Sequence, residues 1–86
     1  MTIYVGNINY SLGEEDVKRI FEVIGKVDAI KIIRDKKTGK SKGFGFLDIG
    51  NKKEAMEAIK TLDGKTVAGR NLRVLRAHTN KVRVMA

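Results

Sequence analysis

Residues 42–49 read Lys-Gly-Phe-Gly-Phe-Leu-Asp-Ile, and the side chains of this octet alternate in character. In an extended strand successive side chains point to opposite faces, so the two phenylalanines share one face while Leu47 and Ile49 share the other. Leu47 and Ile49 are sufficient to anchor the strand on a core. We therefore expect Phe44 and Phe46 to face solvent beside a lysine, where aromatic rings can stack on nucleobases.

The chain has 86 residues, 42% of them hydrophobic and 33% charged, which is room for one small globular domain. It contains no cysteine, so disulfides, thiol catalysis and thiolate metal sites are excluded. No apolar run approaches the ~20 residues that span a bilayer, and no signal segment opens the chain. These features lead us to expect a cytoplasmic protein without membrane association.

The formal net charge is +8, and two segments carry the excess. Residues 31–42 hold six lysines and arginines against one aspartate, and residues 70–86 hold five against no acidic residue. Lysines that served only solubility would not concentrate in this way. The clustering therefore favours a polyanionic partner, nucleic acid above all.

Hydrophobic periodicity predicts two amphipathic helices and four strands. Gly13 is the predicted N-cap of the first helix, with three acidic residues after it. Asn51 is predicted to cap the second helix in a capping-box-like pair with Glu54. The predicted elements are a strand over 2–6, a helix over 14–24, strands over 27–34 and 42–49, a helix between 51 and 63, and a strand over 67–77. This βαββαβ order predicts an α+β fold, a ferredoxin-like two-layer sandwich with a four-stranded antiparallel sheet and both helices on one face.

Two motifs resemble those of a known family, the RNA recognition motif domain. The octet 42–49 resembles its RNP1 motif, and residues 3–8, Ile-Tyr-Val-Gly-Asn-Ile, resemble RNP2 on the first strand. The last RNP1 position is usually aromatic and is Ile49 here, which alternation turns toward the helices. Further likenesses run to about Ala77, and the short chain looks like small single-domain bacterial RNA-binding proteins. We expect an RNA recognition motif domain over 1–78 and a short basic tail over 79–86.

The resemblance implies roles for individual residues on the open face of the sheet. Tyr4 and Phe44 would stack on bases, Phe46 would lie against sugars, and Lys42 would pair with a phosphate. Residues of the last strand commonly add contacts, and alternation turns a lysine of the second strand outward. The predicted RNA-binding residues are Tyr4, Lys31, Lys42, Phe44, Phe46, Arg73, Leu75 and Ala77. We expect no catalytic residue, metal ligand or cofactor.

Three alternatives to RNA binding stay open. Stacking does not read the 2′-hydroxyl, so the same residues could bind single-stranded DNA, and a protein-interaction module could reuse the fold. Small acylphosphatases share the element order, but they need an arginine in the loop after the first strand, and residues 7–13 contain neither Arg nor Lys. We expect a monomer that binds single-stranded RNA in a post-transcriptional or RNA-chaperone role, with no small-molecule substrate.

Overall fold

A four-stranded antiparallel sheet and two helices make up the computed structural model, which describes residues 1–77. In chain order the elements are β1 (Thr2–Gly6), α1 (Glu14–Glu22), β2 (Ala29–Arg34), β3 (Ser41–Asp48), α2 (Lys52–Leu62), β4 (Thr66–Val67), β5 (Arg70–Asn71) and β6 (Arg73–Arg76). The strand order across the sheet is β2-β3-β1-β6, and β4 pairs with β5 in a separate hairpin. The α+β, ferredoxin-like prediction is therefore confirmed. The predicted domain end at residue 78 and the tail over 79–86 lie outside the described residues.

The inward face of the sheet packs on both helices and forms the core. Ile3, Val5 and Leu47 are at most 2% exposed, and their strand neighbours point outward, as period-two patterning requires. Ile49 is 0% exposed, so this departure from the usual aromatic RNP1 residue lies in the core. The helices add buried residues at helical spacing, namely Val17, Phe21, Ala55, Ala58 and Leu62.

Side-chain hydrogen bonds fix the start of each helix. Gly13 is the N-cap of α1, and its N–H donates to the Asp16 carboxylate at 2.9 Å. At α2 the Asn51 side chain accepts from the Glu54 N–H at 2.9 Å. The Glu54 carboxylate, however, accepts from the Lys26 N–H at 3.3 Å, so the predicted reciprocal pair is only half formed. Neither helix, nor any other part of residues 1–77, offers an apolar helical stretch long enough to cross a membrane.

Some predicted boundaries were wrong, and the largest error concerns the last strand. α1 ends at Glu22 and β2 begins at Ala29, each two residues short of the prediction. The predicted strand over 67–77 is instead the β4–β5 hairpin followed by β6. Ala68 and Gly69 have φ angles of 52° and 81° between these two short strands, as in a type I′ turn. An alanine at the first turn position conceals such a hairpin in the sequence.

At each edge of the sheet, a carboxylate accepts a hydrogen bond from one backbone N–H group of the edge strand. On the β2 edge, Glu14 accepts hydrogen bonds from the Ile32 N–H at 3.2 Å and from the Arg34 guanidinium at 2.7 Å. The bond from Arg34 is the main reason that the pKa of Glu14 lies below its ordinary value, with burial opposing it. On the β6 edge, Asp63 accepts from the Val74 N–H at 3.0 Å. An N–H group in each edge strand is thereby satisfied from within the chain.

Candidate nucleic-acid interface

The register of the sheet places the side chains of four predicted RNA-binding residues in one row across its open face. Lys31 of β2 pairs with Phe46 of β3, Phe46 pairs with Tyr4 of β1, and Tyr4 pairs with Leu75 of β6. Residues that face each other in antiparallel strands point to the same side of the sheet. The row therefore runs from one edge strand to the other, with two aromatic rings at its centre.

Three aromatic rings meet on this face, and we call Tyr4, Phe44 and Phe46 the aromatic platform. The ring centroid of Tyr4 lies 5.7 Å from that of Phe46 and 6.1 Å from that of Phe44, at interplanar angles of 60° and 38°. All three side chains are half-buried, so each retains surface that is open to solvent. Gly6 leaves room for the tyrosine, because a β-carbon there would lie 2.9 Å from the Cζ atom of Tyr4.

The two glycines of the octet shape β3 around the phenylalanines. A β-carbon at Gly45 would overlap the carbonyl oxygen of Lys31 and lie 2.9 Å from the Cα atom of Ile32. Gly43 has a φ of 85°, and the β2–β3 register shifts between Ile32 and Arg34. Close backbone approach and positive φ both favour glycine, and such a shift marks a bulge. The Gly-Phe-Gly sequence thus allows β3 to bend while both rings stay on the open face.

Three cationic side chains surround the aromatic platform. Lys31, Lys42 and Arg73 are all exposed. Beside them Leu75 is 42% exposed, and the Ala77 N–H donates to the β1 backbone at 3.0 Å. The structure therefore brings all eight predicted residues to one face of the sheet. Their contacts with RNA stay predictions.

Two aspartates near this face have hydrogen-bond or ionic partners. Asp48, next to the aromatic platform on β3, lies 3.1 Å from the Met1 ammonium group. Asp35 opens the lysine-rich loop after β2 and accepts from the Thr38 N–H at 3.1 Å and the Lys37 N–H at 2.7 Å. These two hydrogen bonds, the one from Thr38 more than the one from Lys37, hold the pKa of Asp35 below its ordinary value. The loop lysines therefore extend from an ordered turn.

A groove beside Phe44 was missed by the sequence reasoning. Residues 7–13 were predicted only as the loop after the first strand, yet Tyr10 in this loop is 61% exposed. The guanidinium carbon of Arg70 lies 5.0 Å from the centroid of the Tyr10 ring. The available signal was an aromatic residue in the loop directly after an aromatic strand. The groove measures about 260 Å³ and is lined by Tyr4, Asn7, Tyr10, Lys42, Gly43, Phe44 and Arg70.

The open face of the sheet combines aromatic rings with cationic side chains. It offers aromatic surface for stacking on planar groups and cations for pairing with phosphates. Across residues 1–77, no group of three or more histidine, cysteine or carboxylate side chains is arranged to hold a metal ion. The arrangement is therefore that of a surface suited to a flexible anionic polymer with planar bases.

Known proteins with similar sequences and structures share this arrangement of elements. The family model described as RNA recognition motif matches residues 3–73. The chain is 40% identical over 77 residues to RbpB of Nostoc sp., covering 90% of this chain and 75% of that protein. It is 39% identical over 80 residues to the cleavage stimulation factor subunit 2 tau variant of Homo sapiens, which covers 93% of this chain but only 13% of that protein. The solved structure of the Rna15 RRM with bound RNA (GU) is similar at a TM-score of 0.86 and 25% identity, covering 98% of this chain and 93% of that one.

Proposed function

The chain belongs to the RNA recognition motif family, and we propose that it binds single-stranded RNA across the open face of its sheet. The observation that carries this proposal is the aromatic platform. The ring centroids of Phe44 and Phe46 both lie within 6.1 Å of the Tyr4 centroid, on the face of the sheet opposite the helices. The similar Rna15 domain, which was solved with bound RNA, supports it.

Stacking on the aromatic platform supplies the part of the affinity that does not depend on salt. Tyr4 and Phe44 take successive bases, and Phe46 lies against the sugars between them. Each stacked base contributes roughly 1–3 kcal/mol. The rings already pack on one another, so binding costs them little conformational freedom. A platform of this size accommodates about two to four nucleotides.

The cations supply the salt-dependent part. Lys42 pairs with a phosphate next to the base on Phe44, while Lys31 and Arg73 meet the backbone toward the two edges of the sheet. Leu75 and Ala77 add apolar contact along β6. Neutralising three phosphates on a single strand predicts a slope of about −2 in a plot of log affinity against log salt.

The target is single-stranded because only unpaired bases present a free ring face to the sheet. Stacking alone does not distinguish RNA from DNA, so the preference for RNA rests on the family. We extend the proposal to a cytoplasmic monomer that binds rather than catalyses, in a post-transcriptional or RNA-chaperone role. RbpB, of which the matched region covers 75%, is described as an RNA-binding protein, and this supports the binding role.

Fluorescence anisotropy with a labelled pool of random RNA octanucleotides tests the proposal. Phe44→Ala should weaken binding roughly 5- to 150-fold, which corresponds to the loss of one stacked base. Its stability should fall by only about 1 kcal/mol, the value of one aromatic pair. Val23→Ala is the matched control, because Val23 is apolar but 85% exposed at the end of α1. That control should bind within about twofold of the wild type.

Competition with unlabelled strands tests the class of ligand. Single-stranded RNA should displace the label best, single-stranded DNA less well, and duplex RNA least. Equal competition by DNA would widen the ligand class to any single strand. A folded Phe44→Ala variant that binds as tightly as the wild type would overturn the platform proposal.

A further inference from the structure

Two asparagines hold the β4–β5 hairpin against the loop that follows β1. The Asn7 side chain donates to the Asn71 carbonyl at 2.8 Å, and the Asn9 side chain donates to the Ala68 carbonyl at 2.9 Å. Asn7 itself has a φ of 56°, in the left-handed region that asparagine tolerates better than most residues. These bonds join parts of the chain that lie about sixty residues apart. The hairpin is thereby fixed at one corner of the open face.

This connection places an arginine over an exposed aromatic ring. The guanidinium carbon of Arg70 lies 5.0 Å from the centroid of Tyr10, within the range of a cation–π interaction. Arg70 is half-buried and forms no ion pair with a carboxylate of residues 1–77. Tyr10 in turn rests close to Gly43, where a β-carbon would lie 2.7 Å from the ring's Cε1 atom. The guanidinium is therefore held in place without being neutralised.

The groove beneath this arginine continues directly from the aromatic platform. Tyr4 and Phe44 of the aromatic platform line it, together with Tyr10 of the loop after β1. Two cations, Lys42 and Arg70, line it together with an asparagine and a glycine, and the lining contains no carboxylate. The two positive charges, with no carboxylate beside them, suit this groove to a nucleotide phosphate.

We propose that Arg70 and the groove form a second phosphate subsite, which carries the RNA backbone off the sheet and onto the β4–β5 hairpin. This proposal rests on the proposed function, since the strand must first lie on the aromatic platform. The planar guanidinium can donate two parallel hydrogen bonds to a phosphodiester while one of its faces stays on the ring. Arg70 is then a binding residue, and Tyr10 is the positioning residue that orients it.

Arg70→Ala and Tyr10 variants test this subsite by anisotropy with random RNA octanucleotides over a range of salt concentrations. Arg70→Ala should weaken binding about fivefold at low salt and make the log–log salt slope shallower by about 0.7. The matched control is Arg19→Ala, which also removes one positive charge. The Arg19 side chain is 79% exposed on α1, away from the open face. It should leave both quantities nearly unchanged.

The Tyr10 variants separate positioning from general structural damage. Tyr10→Phe should bind as the wild type does, because the ring face and not the hydroxyl holds the guanidinium. Tyr10→Ala should reproduce the loss seen in Arg70→Ala, with thermal denaturation confirming that both remain folded. Equal effects of Arg70→Ala and Arg19→Ala, or none in either, would overturn the subsite. If Phe44→Ala still weakens binding in that case, the proposed function stands and only this subsite fails.

Discussion

Replacing Lys42 by methionine removes one cation beside the aromatic platform while nearly preserving the length of the side chain. Lys42 is exposed and lines the groove beside Phe44, so the change should leave the core and the ring contacts intact. The expected effect is therefore on phosphate neutralisation alone. Binding should weaken most at low salt, and the penalty should shrink as salt rises.

The size of this effect follows from the number of cations on the face. With three phosphate contacts the slope is about −2, so a threefold rise in salt should weaken wild-type binding about tenfold. Loss of one contact brings the slope to about −1.4, and the same rise in salt should then weaken binding only about fivefold. If Arg70 also pairs with a phosphate, the wild-type slope becomes about −3. The difference in slope between the wild type and Lys42→Met is then unchanged.

Anisotropy titrations with RNA octanucleotides between about 50 and 300 mM KCl measure these slopes. Phe44→Ala is the companion variant, because loss of stacking should lower affinity by one constant factor and leave the slope unaltered. An equal loss of affinity at every salt concentration in Lys42→Met would refute phosphate pairing by Lys42. A changed slope in Phe44→Ala would refute the stacking role, since the ring would then act through charge.

Three further predictions concern the sheet itself. Gly45→Ala should cost about 1–3 kcal/mol in urea unfolding, because the new methyl group meets the backbone of β2; a variant as stable as the wild type would contradict the close approach. Glu14→Gln should cost up to about 1 kcal/mol at neutral pH, since its bond to Arg34 is partly exposed. The folded-state pKa of Glu14 is lowered, so this contribution is present above the unfolded pKa and is lost as pH falls through the folded value. The difference in unfolding free energy between the wild type and Glu14→Gln should therefore vanish at acidic pH. A difference that is constant with pH would contradict a stabilising role of the Glu14 carboxylate. Asp63→Ala should destabilise by about 1 kcal/mol, because the Val74 N–H loses its partner, and hydrogen exchange at Val74 should accelerate.

The two phenylalanines of the aromatic platform could be predicted from the sequence because their orientation depends on a few neighbouring residues. Alternation within one octet decides which side chains share a face, and Leu47 and Ile49 decide which face is inward. Tyr4 joined the two phenylalanines through the resemblance to the RNA recognition motif, which implies that the first strand lies beside the third. The pattern did not predict that the rings would be half-buried. That follows from the packing of the rings on one another and of Tyr4 beside Gly6.

The groove could not be predicted because the residues that form it are far apart in the sequence. Tyr10 and Arg70 meet where two asparagine side chains bond to carbonyls of the hairpin. That hairpin was itself hidden by Ala68 at its turn. No periodic pattern records a contact between side chains and carbonyls some sixty residues apart. Turn chemistry and long-range polar contacts therefore limited the sequence reasoning, whereas the hydrophobic pattern did not.

The carboxylates at the two sheet edges also limit how these domains can associate. An edge strand with free N–H groups is a template on which another chain can add a strand, and such pairing leads to aggregation. Glu14 and Asp63 each occupy such a group from inside the molecule. Copies crowded along one RNA should therefore remain separate particles and not fuse into a continuous sheet. Removing both carboxylates at once should raise the tendency of the domain to aggregate.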